Sequence, residues 1–155
     1  MLLLQISNPV SAALNSAEWV FPTCEIFHIV GFGISIGAIA AVDFSLMGGA
    51  LRRKAAPRLL RATAPWTLIA LVIVILAGLL LFLTNPLHYY DNSSFRFKII
   101  ALLLAIVFNY TIHRKTAASE TASPPLSILV GAVSLILWVS VVAGGLFIAF
   151  VGLPE

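Results

Sequence analysis

Charge is scarce in this chain. Asp, Glu, Lys and Arg together make up 10% of its 155 residues, and hydrophobic residues make up 61%. A soluble domain carries about 25% charged residues. With a mean hydropathy of +1.07, the chain cannot build a water-facing surface. Cysteine is nearly absent too: Cys24 stands alone, which excludes an internal disulfide and a metal site made of cysteines only. No hydrolase triad, phosphate loop or zinc-protease motif is present. A self-contained catalytic apparatus is not expected, and chemistry in a soluble domain would have to come from a partner chain.

Long apolar segments fill the chain instead. A hydrocarbon core about 30 Å thick needs roughly 20 apolar residues per span. Four stretches qualify, at about 19–47, 65–84, 97–113 and 126–151. They predict an all-α integral membrane four-helix bundle with short loops, a single transmembrane domain over 1–155.

The basic residues orient that bundle. The pI near 9.4 raises the question of nucleic acid, but the distribution answers it. Seven of the nine Lys and Arg residues fall in two places: Arg52, Arg53, Lys54, Arg58 and Arg61 between spans one and two, and Arg114 and Lys115 after span three. This positive-inside pattern makes those two loops cytoplasmic. Both termini and the Leu83–Phe95 loop then face the periplasm of a bacterial inner membrane, and the partner is the lipid bilayer rather than nucleic acid. The first residues show no basic run ahead of an apolar core, unlike a cleaved signal. Residues 10–17 read as a short helix at the outer interface. Pro57 is expected to interrupt the basic loop, Pro65-Trp66 to open span two, Asn85-Pro86 to end it, and Pro124-Pro125 to precede span four.

Span one carries Glu25, His28 and Asp43, and ionisable groups inside a bilayer face the bundle interior and mark a site. At 1.5 Å per residue, His28 lies roughly 13 Å below Trp19. Asp43 is near the inner end, level with Asn109 and His113. His28 and His113 are then about 15–20 Å apart along the membrane normal, too far to share a metal. Two polar layers result. The outer one holds Cys24, Glu25, His28, His88, Tyr89, Tyr90, Asp91, Arg96 and Lys98. The inner one holds Asp43, Asn109, His113 and the loop arginines.

In the outer layer, Glu25 and His28 share a helix face at the Glu-x-x-His spacing by which bundles hold metals. Cys24 flanks that face, and the small residues Gly31 and Ser35 below it leave room for a flat cofactor or a close helix. A haem b between His28 and His88 is geometrically allowed. So is a copper ion on Glu25 and His28, completed by Cys24 or His88. The bland alternative pairs Glu25 with Lys98 or Arg96 and lets His28 bond a neighbouring helix; a proton-relay or substrate site is the third reading of this layer. In the inner layer, Asp43, Asn109 and His113 read as a cluster that fixes span one against span three, with an inward-facing proton mouth as the alternative. Gly33-x-x-x-Gly37 reads as a face for close helix approach, and Gly78, Gly131 and Gly144-Gly145 as further packing positions that could equally admit a porphyrin edge.

The strings Glu25-Ile-Phe-His28 and Val42-Asp43-Phe-Ser-Leu-Met-Gly48 with a basic run behind it resemble a family of uncharacterised bacterial four-span inner-membrane proteins. Pro65-Trp66, Gly78 with Phe82, Phe95 through Lys98, and Asn109 with His113 add to the likeness, which covers about residues 18–115. Ser45 stands where that family usually has an arginine, so no role passes to a basic group there. The family is in turn distantly similar to copper-resistance D-type membrane proteins. The resemblance implies the four-span fold and brings no settled activity. Three readings stand side by side: a haem b or metal-binding electron-transfer component, a copper-handling or transport protein, and a non-catalytic membrane anchor or accessory subunit. The last would have a periplasmic or membrane partner, or a second copy of the chain.

Overall fold

The structure, a computed structural model, describes residues 9–148 and 150. The expectation for the first eight residues and the tail of span four beyond Ile148, Phe150 apart, lie outside the described residues. The described chain is helical, without a strand. In order it forms α1 (Pro9–Asn15), α2 (Val20–Met47), α3 (Ala50–Thr84), α4 (Pro86–Asp91), α5 (Ser93–Phe108), a π-helical turn (Asn109–His113), α6 (Arg114–Ala118) and α7 (Pro124–Phe147). Four continuous helical segments, Val20–Met47, Ala50–Thr84, Ser93–Ala118 and Pro124–Phe147, are long and apolar enough to cross a bilayer. The chain is a multi-pass membrane protein. Large apolar side chains such as Ile26, Ile29, Leu76, Leu104 and Val139 point outward, where lipid replaces water as the solvent.

The basic segment is not a loop. It forms the first turns of α3, which runs unbroken through both Pro57 and Pro65. The connection from α2 shrinks to Gly48 and Gly49. Each proline removes a helical N–H and frees a carbonyl four residues back, yet the helix continues because packing holds it: Ala56 and Pro57 are buried, Ala56 in a cluster with Val42, Leu46, Ala117 and Val130. The Ser45 hydroxyl donates to Arg52 O across the turn (2.7 Å), and the Arg53 guanidinium donates to Gly48 O. Ser45 thus ties the α2–α3 elbow.

Helix α2 packs along α3 and against α7, α5 packs against α7, and α6 meets α3 at the basic end. The middle of the bundle is an apolar layer of Ile39, Leu71, Ala101, Ala105, Trp138 and Val141. Close approach of α2 to α3 runs through Gly31, where a Cβ would stand 2.8 Å from the Val74 side chain. Gly33 and Gly37 are exposed with nothing against them, so the small-residue face read from the sequence is not the one the bundle uses. At the far end, α1 docks on the last turn of α3. Ser11 Oγ donates to Leu83 O (2.7 Å) and Asn15 Nδ2 to Thr84 O (3.0 Å), covering carbonyls that a helix end leaves free.

Candidate functional site

Two polar rungs cross the bundle, each joining α2 to the third span. The first is His28 with Lys98, the second Asp43 with His113. On each helix the two members are fifteen residues apart, about 22 Å of helix, and the apolar middle layer lies between them.

In the first rung, His28 Nδ1 is 2.9 Å from Val74 O of α3. A carbonyl only accepts, so Nδ1 carries the hydrogen. Nε2 is then the lone pair of a neutral ring, and Lys98 Nζ donates to it at 3.2 Å. Both ring nitrogens are engaged. Glycines make the space: a Cβ on Gly78 would lie 2.8 Å from His28 Cε1, and one on Gly145 would lie 3.2 Å from Lys98 Nζ. The Phe32 ring stands edge-on to His28, with centroids 5.0 Å apart, and under the Lys98 ammonium at 5.0 Å, a cation–π contact. Among the described residues Lys98 has no carboxylate within ion-pair range.

Glu25 does not fill that role. It is exposed at the rim of α2. Its charge is felt by Tyr89, whose phenol is pushed above its ordinary range, first by burial and second by the Glu25 carboxylate. Arg96 is exposed, Cys24 is half-buried without a thiol partner, and His88 is exposed on α4 with its ring against Tyr89. Among the described residues no three His, Cys, Asp or Glu side chains converge as a metal ion would require. The expected haem b or copper site on Glu25, His28, Cys24 and His88 is therefore not supported. His28 has no free lone pair to offer, and the space below it at Gly31 and Ser35 is taken by α3.

In the second rung, Asp43 is fully buried, and His113 and Ser134 are 1% exposed. Asp43 Oδ1 is 2.6 Å from His113 Nε2, and Oδ2 accepts from Ser134 Oγ at 2.9 Å. The carboxyl sits between the other two, so this is no nucleophilic triad: the histidine does not touch the serine and cannot take its proton. Three spans meet here. Gly131 lets α7 come close, since a Cβ on it would stand 2.9 Å from Asp43 O.

The π-helical turn aims the histidine. Ala101, Ala105, Asn109, His113 and Ala117 recur every fourth residue and are all buried. On an ideal α-helix each such step drifts by about 40°, which would carry the last of them off the inner face. The wider turn at 109–113 takes back part of that drift, and Arg114 N–H closes it on Asn109 O. Such turns concentrate at functional positions. Asn109 is buried in the same region but bonds neither Asp43 nor Ser134. His113 Nδ1 is buried with no protein partner. A cavity of about 10 Å³ is bordered by His113, Asn109, Thr63, Thr67, Tyr110 and Arg114 among others.

Ser134 is the residue that sequence reading passed over. Span four holds no charge, and its hydroxyls drew no attention. Ser127 and Ser134, seven apart in an apolar run and both buried, were the available signal.

With these elements in place, comparison with known proteins gives one match. The chain belongs to a family of unknown function, DUF6644, whose model matches residues 19–151. The match spans all four membrane helices and both rungs. No curated protein and no solved structure matches, so the distant likeness to copper-resistance D-type proteins finds no support in a relative.

Proposed function

We propose that this protein handles protons in the membrane, holding one exchangeable proton in each half of the bundle. One observation carries this reading: the same pair of spans bears two titratable pairs inside the bundle, one half-buried and one buried, each one proton from electrical neutrality. The Lys98 ammonium beside a neutral His28 leaves a net positive charge that losing a proton would remove. The Asp43 carboxylate beside a neutral His113 leaves a net negative charge that gaining a proton would remove. Net charge inside a bilayer is costly, and ionisable residues there mark proton and ion pathways. The apolar layer between the rungs supports proton exchange at two separate faces rather than a continuous wire, as coupling to a transported solute or a redox partner would need. The orientation in this reading is the positive-inside one. The Asp43 rung serves the cytoplasmic face of a bacterial inner membrane, the Lys98 rung the periplasmic face, and both termini are periplasmic.

The test is histidine-ring nitrogen NMR of the protein in lipid nanodiscs across about pH 5–8, where imidazoles ordinarily titrate. The signal of His113, assigned with His113→Gln, is expected to change as the pair gains its proton, and Asp43→Asn, which removes one member of the pair, to alter that change. The His28 ring is expected to report the loss of the Lys98 proton toward alkaline pH, and Lys98→Met to abolish that response. Rings that hold one state throughout would sink the proposal.

A membrane partner is the second reading. Gly33 and Gly37 leave an unoccupied strip on α2, of the kind that admits a helix from another chain. Bulky substitution at both positions, with the fold retained, is expected to dissociate a co-purifying partner or a second copy. An unchanged monomer before and after would remove this reading.

A further inference from the structure

We infer that His113 Nδ1 is the proton port of the Asp43–His113 pair, reached from the basic end through the cavity between α2, α3 and the π-helical turn. The inference rests on the proton-handling reading and adds the atom, the side and the route.

The argument begins with valence. Nε2 of His113 is committed to Asp43 at 2.6 Å. The second carboxyl oxygen is committed to Ser134 at 2.9 Å. The buried pair therefore offers one ring nitrogen for exchange, and it is Nδ1, which has no protein partner. With one proton between them, the pair has Asp43 as carboxylate, Nε2–H donating to it and Nδ1 as a bare lone pair. A second proton gives Nδ1–H. The pair is then neutral overall, either as imidazolium with carboxylate or as neutral imidazole with carboxylic acid. Loading therefore turns Nδ1 from acceptor to donor, and no bond to Asp43 or Ser134 has to break.

A buried nitrogen that alternates in this way needs a partner able to do the same. A hydroxyl or a water both donates and accepts; a backbone carbonyl or amide does only one. The cavity that His113 lines has room for such a partner. His113 borders a cavity of about 10 Å³, at the lower size limit for holding one water. Thr63, Thr67 and Asn109 line the same cavity, polar residues of the kind from which a buried water draws its two to four partners. Both threonines spend their hydrogens on their own helix, on Leu59 O and Thr63 O, which leaves their oxygens as acceptors.

The charged groups around the pair set the side of access. From α2 there is Asp43 itself. From α7 there is only Ser134. From α3 the lining is Leu60, Thr63, Ala64 and Thr67, without charge. From the π-helical turn and α6 come Tyr110 and Arg114, whose guanidinium lies 5.1 Å from the centre of the Tyr110 ring. Arg114 is half-buried at the basic end. On the other side of the pair stands the apolar layer of Ile39, Leu71, Ala105 and Trp138, which offers a proton no carrier. Arg114 lines the same cavity as His113 and stands on its basic side, so the route from Nδ1 leads past Arg114 to the basic end.

The experiment is a pH jump on the full-length protein in nanodiscs, following protonation of the pair by infrared absorption, with Asp43→Asn identifying the carboxyl contribution. Two variants alter the cavity without touching the pair. Ala64→Val fills it, and Thr67→Val keeps the volume while removing the hydroxyl. Ser140→Ala, far from the cavity, is the control. Ala64→Val is expected to slow loading by an order of magnitude and Thr67→Val to slow it severalfold, while the final protonated fraction stays that of the parent and Ser140→Ala changes neither. Loading at the parent rate in both cavity variants would overturn the port and leave the proton-handling reading standing. A pair that never changes protonation in the parent would overturn both. Thermal melts of each variant identify the folded ones; if Ala64→Val does not fold, the near-isosteric Thr67→Val decides.

Discussion

Gly78 illustrates how tightly single positions are set around the first rung. Adding one methyl there would bring a carbon to 2.8 Å from His28 Cε1, and the ring could move only by leaving Val74 O or Lys98. Gly78→Ala is expected to destabilise the protein by about 1–3 kcal/mol, the usual cost of overpacking, and to change the His28 ring signals. The His28→Ala, Gly78→Ala double variant should recover part of that loss, because the clash needs both groups. Equal and additive losses would show that the ring does not occupy the Gly78 slot. Asp43 is the counterpart at the second rung. Asp43→Ala strands the Ser134 hydroxyl and His113 Nε2 in a dry interior. Single hydrogen bonds in membrane bundles contribute up to about 1.7 kcal/mol, and leaving buried partners unpaired adds to that. A loss of about 2 kcal/mol or more is expected in unfolding from mixed micelles.

The helices divide the same labour differently from what their composition suggests. Two glycine faces compete on α2, and the bundle uses Gly31 with Ser35 rather than Gly33 with Gly37. Substituting each in turn separates the two. Gly31→Ala is expected to cost about 1–3 kcal/mol, since its methyl would meet Val74 at 2.8 Å and Ala70 O at 3.2 Å. Gly33→Ala has open space and should leave the isolated chain as stable or slightly more so, alanine being the better helix former. The reverse order in a thermal melt would contradict the packing. Helix α3 carries the basic residues on its opening turns, so Arg52, Arg53, Lys54, Arg58 and Arg61 ride on a rigid element instead of a loop. The same helix then continues as a stretch long and apolar enough to cross a bilayer.

Four candidate spans are an even number of crossings, which puts the start of α2 and the end of α7 on one side of the membrane. Reporter fusions test which side. An alkaline phosphatase fused after Asp91 is expected to be active, and a green fluorescent protein fused after Glu120 is expected to be fluorescent, because the basic end belongs in the cytoplasm. The opposite pattern would invert the orientation of both rungs. It would also exchange the compartments that the two proton sites face, without altering either site's geometry.

Composition and periodicity were sufficient for the four spans, for the helical class, and for the depth at which each polar residue sits. Hydropathy depends on residue type, and depth follows from a fixed rise per residue, so neither needs tertiary information. The same arithmetic set Asp43 level with His113, and it set Lys98 level with Glu25, three residues short of its partner His28. Rotation about the helix axis was beyond it. Whether Glu25 or His28 turns inward, which glycine face meets α3, and how far a π-helical turn corrects the drift along the third span all depend on how neighbouring helices fill one another's grooves. For that reason the metal reading of Glu25, His28, Cys24 and His88 finds no converging ligand set among the described residues, and Ser134, silent in an apolar run, became a member of a rung. The basic stretch was read as a loop because prolines and charges disfavour helix locally. Burial of Pro57, and of Ala56 in one cluster with Ala117 from the far end of the third span, overrode that local preference.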